Sequence, residues 1–191
     1  VLSVRTNGFA DSLYRIRTKA ESFVETGFRR SLLYKKSQRE GDTDRDVVVR
    51  FDYKRNLALY SNHGKLSREI PIRPSTFDPL AIAYLFRIGQ LKPGQKKVLP
   101  TCDGRSLQDV EVTVKKKEKM NVPAGEFEAF EVTPALKNLR GVFKKSPDGV
   151  LRIWYSADAR RIPVKMSSKV VVGSFVARLE KIEKVALQET D

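Results

Sequence analysis

The chain has 191 residues, a length that fits one domain of the all-β kind. Hydrophobic residues make up 40% of it, which is enough for a packed core and excludes a wholly disordered chain. Lysine and arginine number 37 against 23 acidic residues, so the formal net charge is +14. A surface this basic attracts anionic partners without identifying one.

Apolar side chains recur at every second position through much of the chain, which is the period of a β-strand. Each row has an apolar face and a charged face, as in an antiparallel sheet with one face in water. In chain order, the predicted strands lie near residues 14–20, 31–38, 47–53, 57–60, 65–72, 110–114, 164–172 and 175–179.

Turn-forming residues separate these rows at intervals of roughly ten residues, a spacing typical of a meander that curls toward a barrel. We therefore predict a mainly β fold: a single curved antiparallel sheet, a half-barrel or barrel-like meander, with one short buried helix. The turn signals lie at residues 40–42, 54–56, 62–64, 103–104, 123–125 and 147–149.

One segment departs from the strand pattern. Asp78 is placed to cap the N-terminus of a helix, with Pro79 at its first position and Gly89 ending the segment. Residues 80–86 are almost all apolar, and a helix that is apolar on most sides must be buried. We expect this helix to plug or cover the concave side of the sheet.

Neither a repeat nor a low-complexity linker divides the sequence, so residues 1–191 are interpreted as a single domain with a frayed tail at 186–191. The chain opens on Val1 without a leader, and no run of about 18 apolar residues predicts a transmembrane segment. This opening is expected either of a trimmed cytosolic protein or of a mature or truncated one.

Cys102 and His63 are the single cysteine and the single histidine, which excludes a zinc site built from about four such ligands. His63 lies in an Asn-His-Gly turn, where we expect it to be solvated. Cys102 is interpreted as a partly buried structural thiol, with a reactive thiol as the alternative. Glycine loops, paired carboxylates and metal-ligand spacings are absent from the sequence, so we predict no catalytic residue, metal or cofactor.

Basic doublets are the strongest positive feature of the sequence. Because successive side chains of a strand point to opposite faces, each doublet is expected to split between the faces or to lie at a strand end. The aromatic residues fall mostly at apolar positions, which indicates core packing and disfavours nucleic acid as a partner. The basic runs are residues 29–30, 35–36, 96–97, 115–117, 144–145 and 160–161.

The segment 151–166 is the most distinctive, because a strand ends in a Ser-Ala-Asp turn and a second strand follows two arginines. The carboxylate of that turn can accept hydrogen bonds from backbone N–H groups or pair with an arginine. A structural role is the favoured interpretation of the turn. The candidate ligand-binding residues are Trp154, Asp158, Arg160, Arg161 and Lys165.

The run from Trp154 to Lys165, WYSADARRIPVK, resembles the closing motif of a bacterial exported family catalogued as domain of unknown function 3108. Two upstream runs agree with it: Asp78–Arg87 resembles the short helical motif of the family, and Val122–Phe127 resembles its turn before a strand. A final strand that contains Gly173 also fits, and the likeness covers roughly residues 10–183.

The resemblance implies an address in the envelope of a Gram-negative bacterium, periplasmic or associated with the outer membrane. It also implies a further strand or two and a leader upstream of Val1. It implies no activity, because the family has none assigned. A likeness to periplasmic lipoprotein carriers is an analogy at the level of the fold alone.

Apolar alternation and the charge of +14 lead us to predict a non-enzymatic envelope domain of unknown molecular role. Its expected ligand is an anionic amphiphile, such as a lipid or lipopolysaccharide, or an acidic glycan. Two alternatives stay open. One is a scaffold or assembly component whose edge strands pair with an envelope protein. The other is an enzyme, such as a hydrolase of cell-wall glycans.

Overall fold

A computed structural model describes residues 1–5, 15–135, 150–170 and 173–183 of the chain. Within these ranges the protein forms two antiparallel sheets of six strands each and one short helix. The elements are β1 Leu2–Arg5, β2 Ile16–Val24, β3 Ser31–Glu40, β4 Thr43–Asp52, β5 Leu57–Asn62, β6 Lys65–Pro71, α1 Pro79–Leu85, β7 Lys96–Cys102, β8 Leu107–Val122, β9 Gly125–Pro134, β10 Val150–Ser156, β11 Pro163–Val170 and β12 Gly173–Arg178.

Sheet one is a meander in which β1 to β6 pair in chain order. Tyr34 of β3 lies opposite Val49 of β4, and Val49 lies opposite Tyr60 of β5. Opposed residues point to the same side of a sheet, so these three buried side chains mark one face, which we call the core-side face. The alternation read from the sequence therefore identified the correct face of these strands.

Sheet two is also a meander, with the strand order β12-β11-β10-β9-β8-β7. Val132 of β9 lies opposite Val114 of β8 on one side and opposite Ile153 of β10 on the other. All three side chains are buried, so register again aligns apolar residues across neighbouring strands.

The mainly β class, the antiparallel pairing and the single short helix of the described chain confirm the coarse prediction. The prediction of one curved, barrel-like sheet was wrong, because there are two sheets and neither is closed into a barrel. The strand period reports which side chains share a face, but it carries no information about which strands pair. The break falls between β6 and β7, where α1 intervenes.

The chain divides into two compact units, and each is described by itself below. Unit one contains residues 1–85 and 98–110, and unit two contains residues 86–97 and 111–191. The interpretation of the whole chain as one domain stays a prediction. The tail at 186–191 lies outside the described residues.

Helix α1 begins as the sequence indicates. The backbone N–H groups of Leu80 and Ala81 both donate to Asp78 Oδ1 at 2.9 Å, which is the bonding of a helix N-cap. The helix ends at Leu85, and Gly89 adopts φ +82° in the turn beyond it. Leu80 packs into the apolar cluster of sheet one, so one side of the helix is buried, as expected. The buried helix residues are Leu80, Ala81 and Ile82.

Cys102 is a free thiol inside the core of unit one, with no exposed surface. Burial raises the pKa of this thiol from 9.0 to about 11. The thiolate is the reactive form of cysteine, so the folded protein suppresses the reactivity of Cys102. The interpretation as a structural thiol holds, and the side chain is more deeply buried than the sequence indicated.

We expect a disulfide reagent such as DTNB to modify Cys102 at least about 100-fold more slowly in the folded protein than in urea. Because the folded-state pKa lies above the unfolded value, the thiolate forms first in the unfolded chain. The free energy of unfolding should therefore fall as the pH rises from 9.0 to about 11. The urea-unfolded protein is the control for reagent quality, and equal rates in both states would contradict this assignment.

Candidate functional site

The core-side face of sheet one changes from apolar to cationic along its length. Lys36 lies opposite Val47. Two residues further along these strands, on the side away from Val49, Gln38 lies opposite Arg45. Asn62 of β5 also lies opposite Val47. These polar residues keep the alternation of the strands, so they stand on the same face as the buried core. The apolar part of the core-side face in unit one is thus followed, along the same strands, by a polar part.

A recess of ≈ 750 Å³ opens over this part of unit one. Strands β4, β5 and β6 and the turn that follows β7 contribute its walls. Among the described residues that line it, four are cationic and one is acidic. The lining residues are Asp44, Arg45, Tyr60, Asn62, Lys65, Ser67, Arg68 and Arg105.

An irregularity in β6 brings Arg68 to the recess. Tyr60 lies opposite Arg68, but the next residue, Ser61, lies opposite Leu66. Ser67 is therefore an extra residue in β6, which is the signature of a β-bulge. Because Arg68 lies opposite Tyr60, its side chain stands on the core-side face.

Arg105 reaches the recess from the turn between β7 and β8. Asp103 Oδ1 accepts hydrogen bonds from the backbone N–H groups of Arg105 at 2.8 Å and Ser106 at 3.3 Å, which closes the turn. Gly104, with φ +88°, packs its backbone against the Tyr60 ring and Val49 on the core-side face. This close approach needs the absence of a side chain at Gly104, and it fixes Arg105 beside β5.

The four cationic side chains of the recess make no side-chain hydrogen bond or ion pair with another residue in the described ranges. The acidic member, Asp44, is an exposed side chain with neighbours outside the recess. Arg39 Nε lies 3.6 Å from Asp44 Oδ2, and His63 Nε2 lies 3.9 Å from Asp44 Oδ1. The recess therefore carries an excess of uncompensated positive charge, which concentrates anions.

Lys36 lies half-buried on the same face as the recess. Burial lowers the pKa of Lys36, and the nearby cations Arg105 and Arg45 lower it further against the opposing pull of Glu40. The charged ammonium group of Lys36 therefore lowers the free energy of unfolding.

Lys36→Met is expected to raise the free energy of unfolding by about 0.5–1 kcal/mol at neutral pH. The folded-state pKa lies below 10.5, so the cost of the charge disappears as the pH rises toward that value and the gain shrinks with it. Urea unfolding at several pH values measures both effects. Lys35→Met is the control, because Lys35 is exposed on the other face; an equal gain there, or a loss at Lys36, would contradict the prediction.

The residues predicted from the sequence lie at the connection between β10 and β11, in unit two. Trp154 is buried, and its Nε1 donates to Glu118 Oε1 at 2.7 Å. Lys165 Nζ lies 4.7 Å from the centroid of the Trp154 ring, which is a cation–π contact. Hydrogen bonds from Lys116 and then Trp154 lower the pKa of Glu118. The structure thus brings Trp154 and Lys165 together, and the two side chains contact each other.

Asp158 and Arg160 are also joined to each other. Asp158 Oδ1 accepts from the Ser156 hydroxyl at 2.7 Å, and Asp158 Oδ2 accepts from Arg160 Nε at 2.8 Å. Burial would raise the pKa of Asp158, but these hydrogen bonds outweigh it and lower the pKa. Arg161 adopts φ +43°, and its N–H donates to the Asp158 carbonyl at 3.2 Å. The turn is internally satisfied, in accord with the structural interpretation.

Asp158 and Arg160 also line a smaller recess of ≈ 510 Å³ in unit two. Its two cations are each paired with a carboxylate, since Lys117 Nζ lies 2.8 Å from Glu128 Oε2 and Arg160 contacts Asp158. Paired charges attract a further anion weakly, so the recess of unit one is the stronger candidate site.

Among the described residues, Asp78 is the acidic side chain that is buried, and it has no exposed surface. Its Oδ2 accepts hydrogen bonds from the hydroxyls of Ser22 and Ser31, both at 2.6 Å, while its Oδ1 caps α1. Burial raises the pKa of Asp78, and these hydrogen bonds lower it in part. Both oxygens are committed to holding β2, β3 and the helix together, so the carboxylate has a structural task.

Sequence reasoning missed Arg45, Lys65, Arg68 and Arg105 as a group. One signal was available: Arg45 occupies a core-face position of β4, where an apolar residue is expected. The remaining signals depend on tertiary structure, because Arg105 reaches the recess only through the packing of Gly104 on sheet one.

Two further observations concern the described part of the chain. No three histidine, cysteine or acidic side chains there are grouped as a metal site would need. The helix found there falls short of the length and apolarity required to cross a membrane.

Comparison with known proteins gives one match. Neither the curated proteins nor the solved structures contain a protein that matches this chain. The sequence profile described as "Protein of unknown function (DUF3108)" matches residues 1–180, nearly the whole chain. The chain therefore belongs to the family of domain of unknown function 3108, as the runs around Trp154, Asp78 and Val122 indicate.

Proposed function

We propose that this protein is a non-enzymatic binding domain of the bacterial envelope. Its recess in unit one takes the anionic headgroup of an amphiphile, such as a lipid or lipopolysaccharide. The observation that carries the proposal is the set of four cationic side chains without ion-pair partners in the described residues, beside a single acidic side chain.

The composition of the recess supports entry of a headgroup rather than an acyl chain. Tyr60 is the single aromatic residue of the described lining, and no aliphatic side chain is part of it. An acyl chain needs an apolar wall, whereas charged oxygens gain from arginine and lysine. The envelope address is supported by the resemblance of the closing motif alone.

Binding of the full chain to lipid vesicles tests the proposal. We expect it to sediment with vesicles that contain phosphatidic acid, to bind neutral phosphatidylcholine vesicles weakly, and to lose affinity as salt is raised. The variant Arg68→Ala/Arg105→Ala removes two recess cations. We expect it to bind anionic vesicles at least about tenfold more weakly, since charge-assisted hydrogen bonds are worth about 1.5–3 kcal/mol each.

Arg50→Ala/Lys54→Ala is the matched control. Both residues are exposed, and both lie on β4 or the turn after it, outside the recess. This variant loses the same charge, so a general effect of net charge would weaken both variants equally. Equal weakening, or full binding by the recess variant, would show that the recess does not hold the headgroup.

The alternative of a scaffold that pairs through an edge strand receives less support at the β6 edge of sheet one. Edge strand β6 carries Lys65 and Arg68, a bulge at Ser67 and a terminal Pro71, features that discourage pairing with another strand. These features favour ligand binding over strand addition at this edge.

A further inference from the structure

We infer that the recess is selective for a phosphate group, held by the guanidinium groups of Arg45, Arg68 and Arg105. This inference rests on the proposed function and names the chemical class of its ligand.

The hydrogen-bonding groups of the recess are mainly donors. Asn62 Oδ1 already accepts from the backbone N–H of Asp46 at 3.1 Å, which leaves the Asn62 amide nitrogen to donate. Asp44, the single acidic residue of the described lining, lies 3.6 Å from Arg39 Nε. Arginine and lysine have no acceptor at all. A ligand that matches this lining must present acceptors, and a phosphate with its charged oxygens does so.

Charge favours phosphate over carboxylate. A single carboxylate carries one negative charge and would leave most of the positive charge of the recess uncompensated. A phosphate monoester carries about 1.5 to 2 negative charges near neutral pH and has three terminal oxygens. Guanidinium groups bind such oxygens in bidentate pairs, which is why arginine is preferred over lysine at phosphate sites.

The three arginines stand on three separate segments of the backbone: β4, the bulged strand β6 and the turn after β7. The oxygens of a carboxylate lie in one plane, whereas those of a phosphate project in three directions from a tetrahedral centre. Donors from three segments suit the tetrahedral group. Arg105 comes from the turn, whose position depends on the contact of Gly104 with Tyr60 and Val49.

Calorimetric titration of the full chain separates the two ligand classes. We expect glycerol 1-phosphate to bind at least about tenfold more tightly than malonate, a dicarboxylate of similar charge. Arg105→Lys keeps the charge and loses the bidentate fork, which phosphate and carboxylate oxygens both use, so we expect it to weaken the binding of each ligand about tenfold. Arg50→Lys is the control and should change neither. Unchanged thermal unfolding would show that the variants remain folded.

The source of the phosphate is distinguished by competition. Displacement of the protein from phosphatidic acid vesicles by glycerol 1-phosphate, and weakly by inorganic phosphate, would support a lipid headgroup. Tight inorganic phosphate binding without vesicle binding would support a soluble phosphate and overturn the proposed function. Equal binding of malonate and glycerol 1-phosphate would overturn the phosphate inference while vesicle binding still upheld the proposed function. Preferential binding of a single-stranded oligonucleotide would overturn both.

Discussion

Replacing Gly104 with alanine is expected to lower the free energy of unfolding by about 3 kcal/mol. A Cβ atom there would overlap the Tyr60 ring and lie 2.7 Å from Val49 Cγ2. Val49 is fully buried and Tyr60 nearly so, which leaves neither side chain room to move aside. The backbone at φ +88° adds strain for any residue with a side chain. The same change should displace Arg105 and weaken ligand binding.

Urea unfolding followed by far-UV circular dichroism measures this loss. Gly64→Ala is the matched control, because Gly64 has a similar φ of +75° with nothing within 4 Å of a Cβ atom. We expect Gly64→Ala to cost about 1 kcal/mol, from backbone strain alone. Equal losses at the two glycines would show that the packing of the turn on sheet one contributes nothing.

Replacing Asp78 with alanine is expected to lower the free energy of unfolding by about 3 kcal/mol. The change removes the cap of α1 and leaves the hydroxyls of Ser22 and Ser31 without the acceptor that both now use at 2.6 Å. Loss of a cap costs about 1 kcal/mol, and a buried polar group without a partner costs about 1–3 kcal/mol. Chemical unfolding at neutral pH measures the sum.

Asp78→Asn keeps the helix cap and removes the charge. Its amide oxygen caps the helix, but its amide nitrogen cannot accept the hydrogen bonds of the Ser22 and Ser31 hydroxyls, so we expect a loss of about 1–2 kcal/mol, smaller than that of the alanine variant. Burial raises the folded-state pKa of Asp78, so wild-type stability should increase as the pH falls through that pKa toward 3.8, and Asp78→Asn should lack this increase. Losses of the same size in the alanine and asparagine variants would contradict the assignment.

The closing motif from Trp154 to Lys165, which best identified the family, has a structural role. Trp154 and Asp158 stand out in the sequence because each is held by a particular partner, Glu118 for the indole and Ser156 for the carboxylate. Sequence reasoning selected them as ligand-binding candidates because rare residues in a distinctive run also mark binding sites. Ser156 lies two residues before Asp158, but Glu118 of β8 reaches the indole only once the strands pair, which the sequence does not display.

Local features followed from the sequence by itself. Side-chain alternation placed Val47 and Val49 on a buried face, and the pair Asp78-Pro79 located the start of the helix. Both features depend on residues that are close in the chain. The alternation follows from the pleat of a strand, and the start of the helix follows from the free N–H groups of its first turn. The tertiary structure alone decided that the strands form two sheets and that Arg45, Arg68 and Arg105 share one recess. Strand pairing, the β6 bulge and the packing of Gly104 on Tyr60 bring together residues as distant in the chain as Arg45 and Arg105, and no local pattern encodes such contacts.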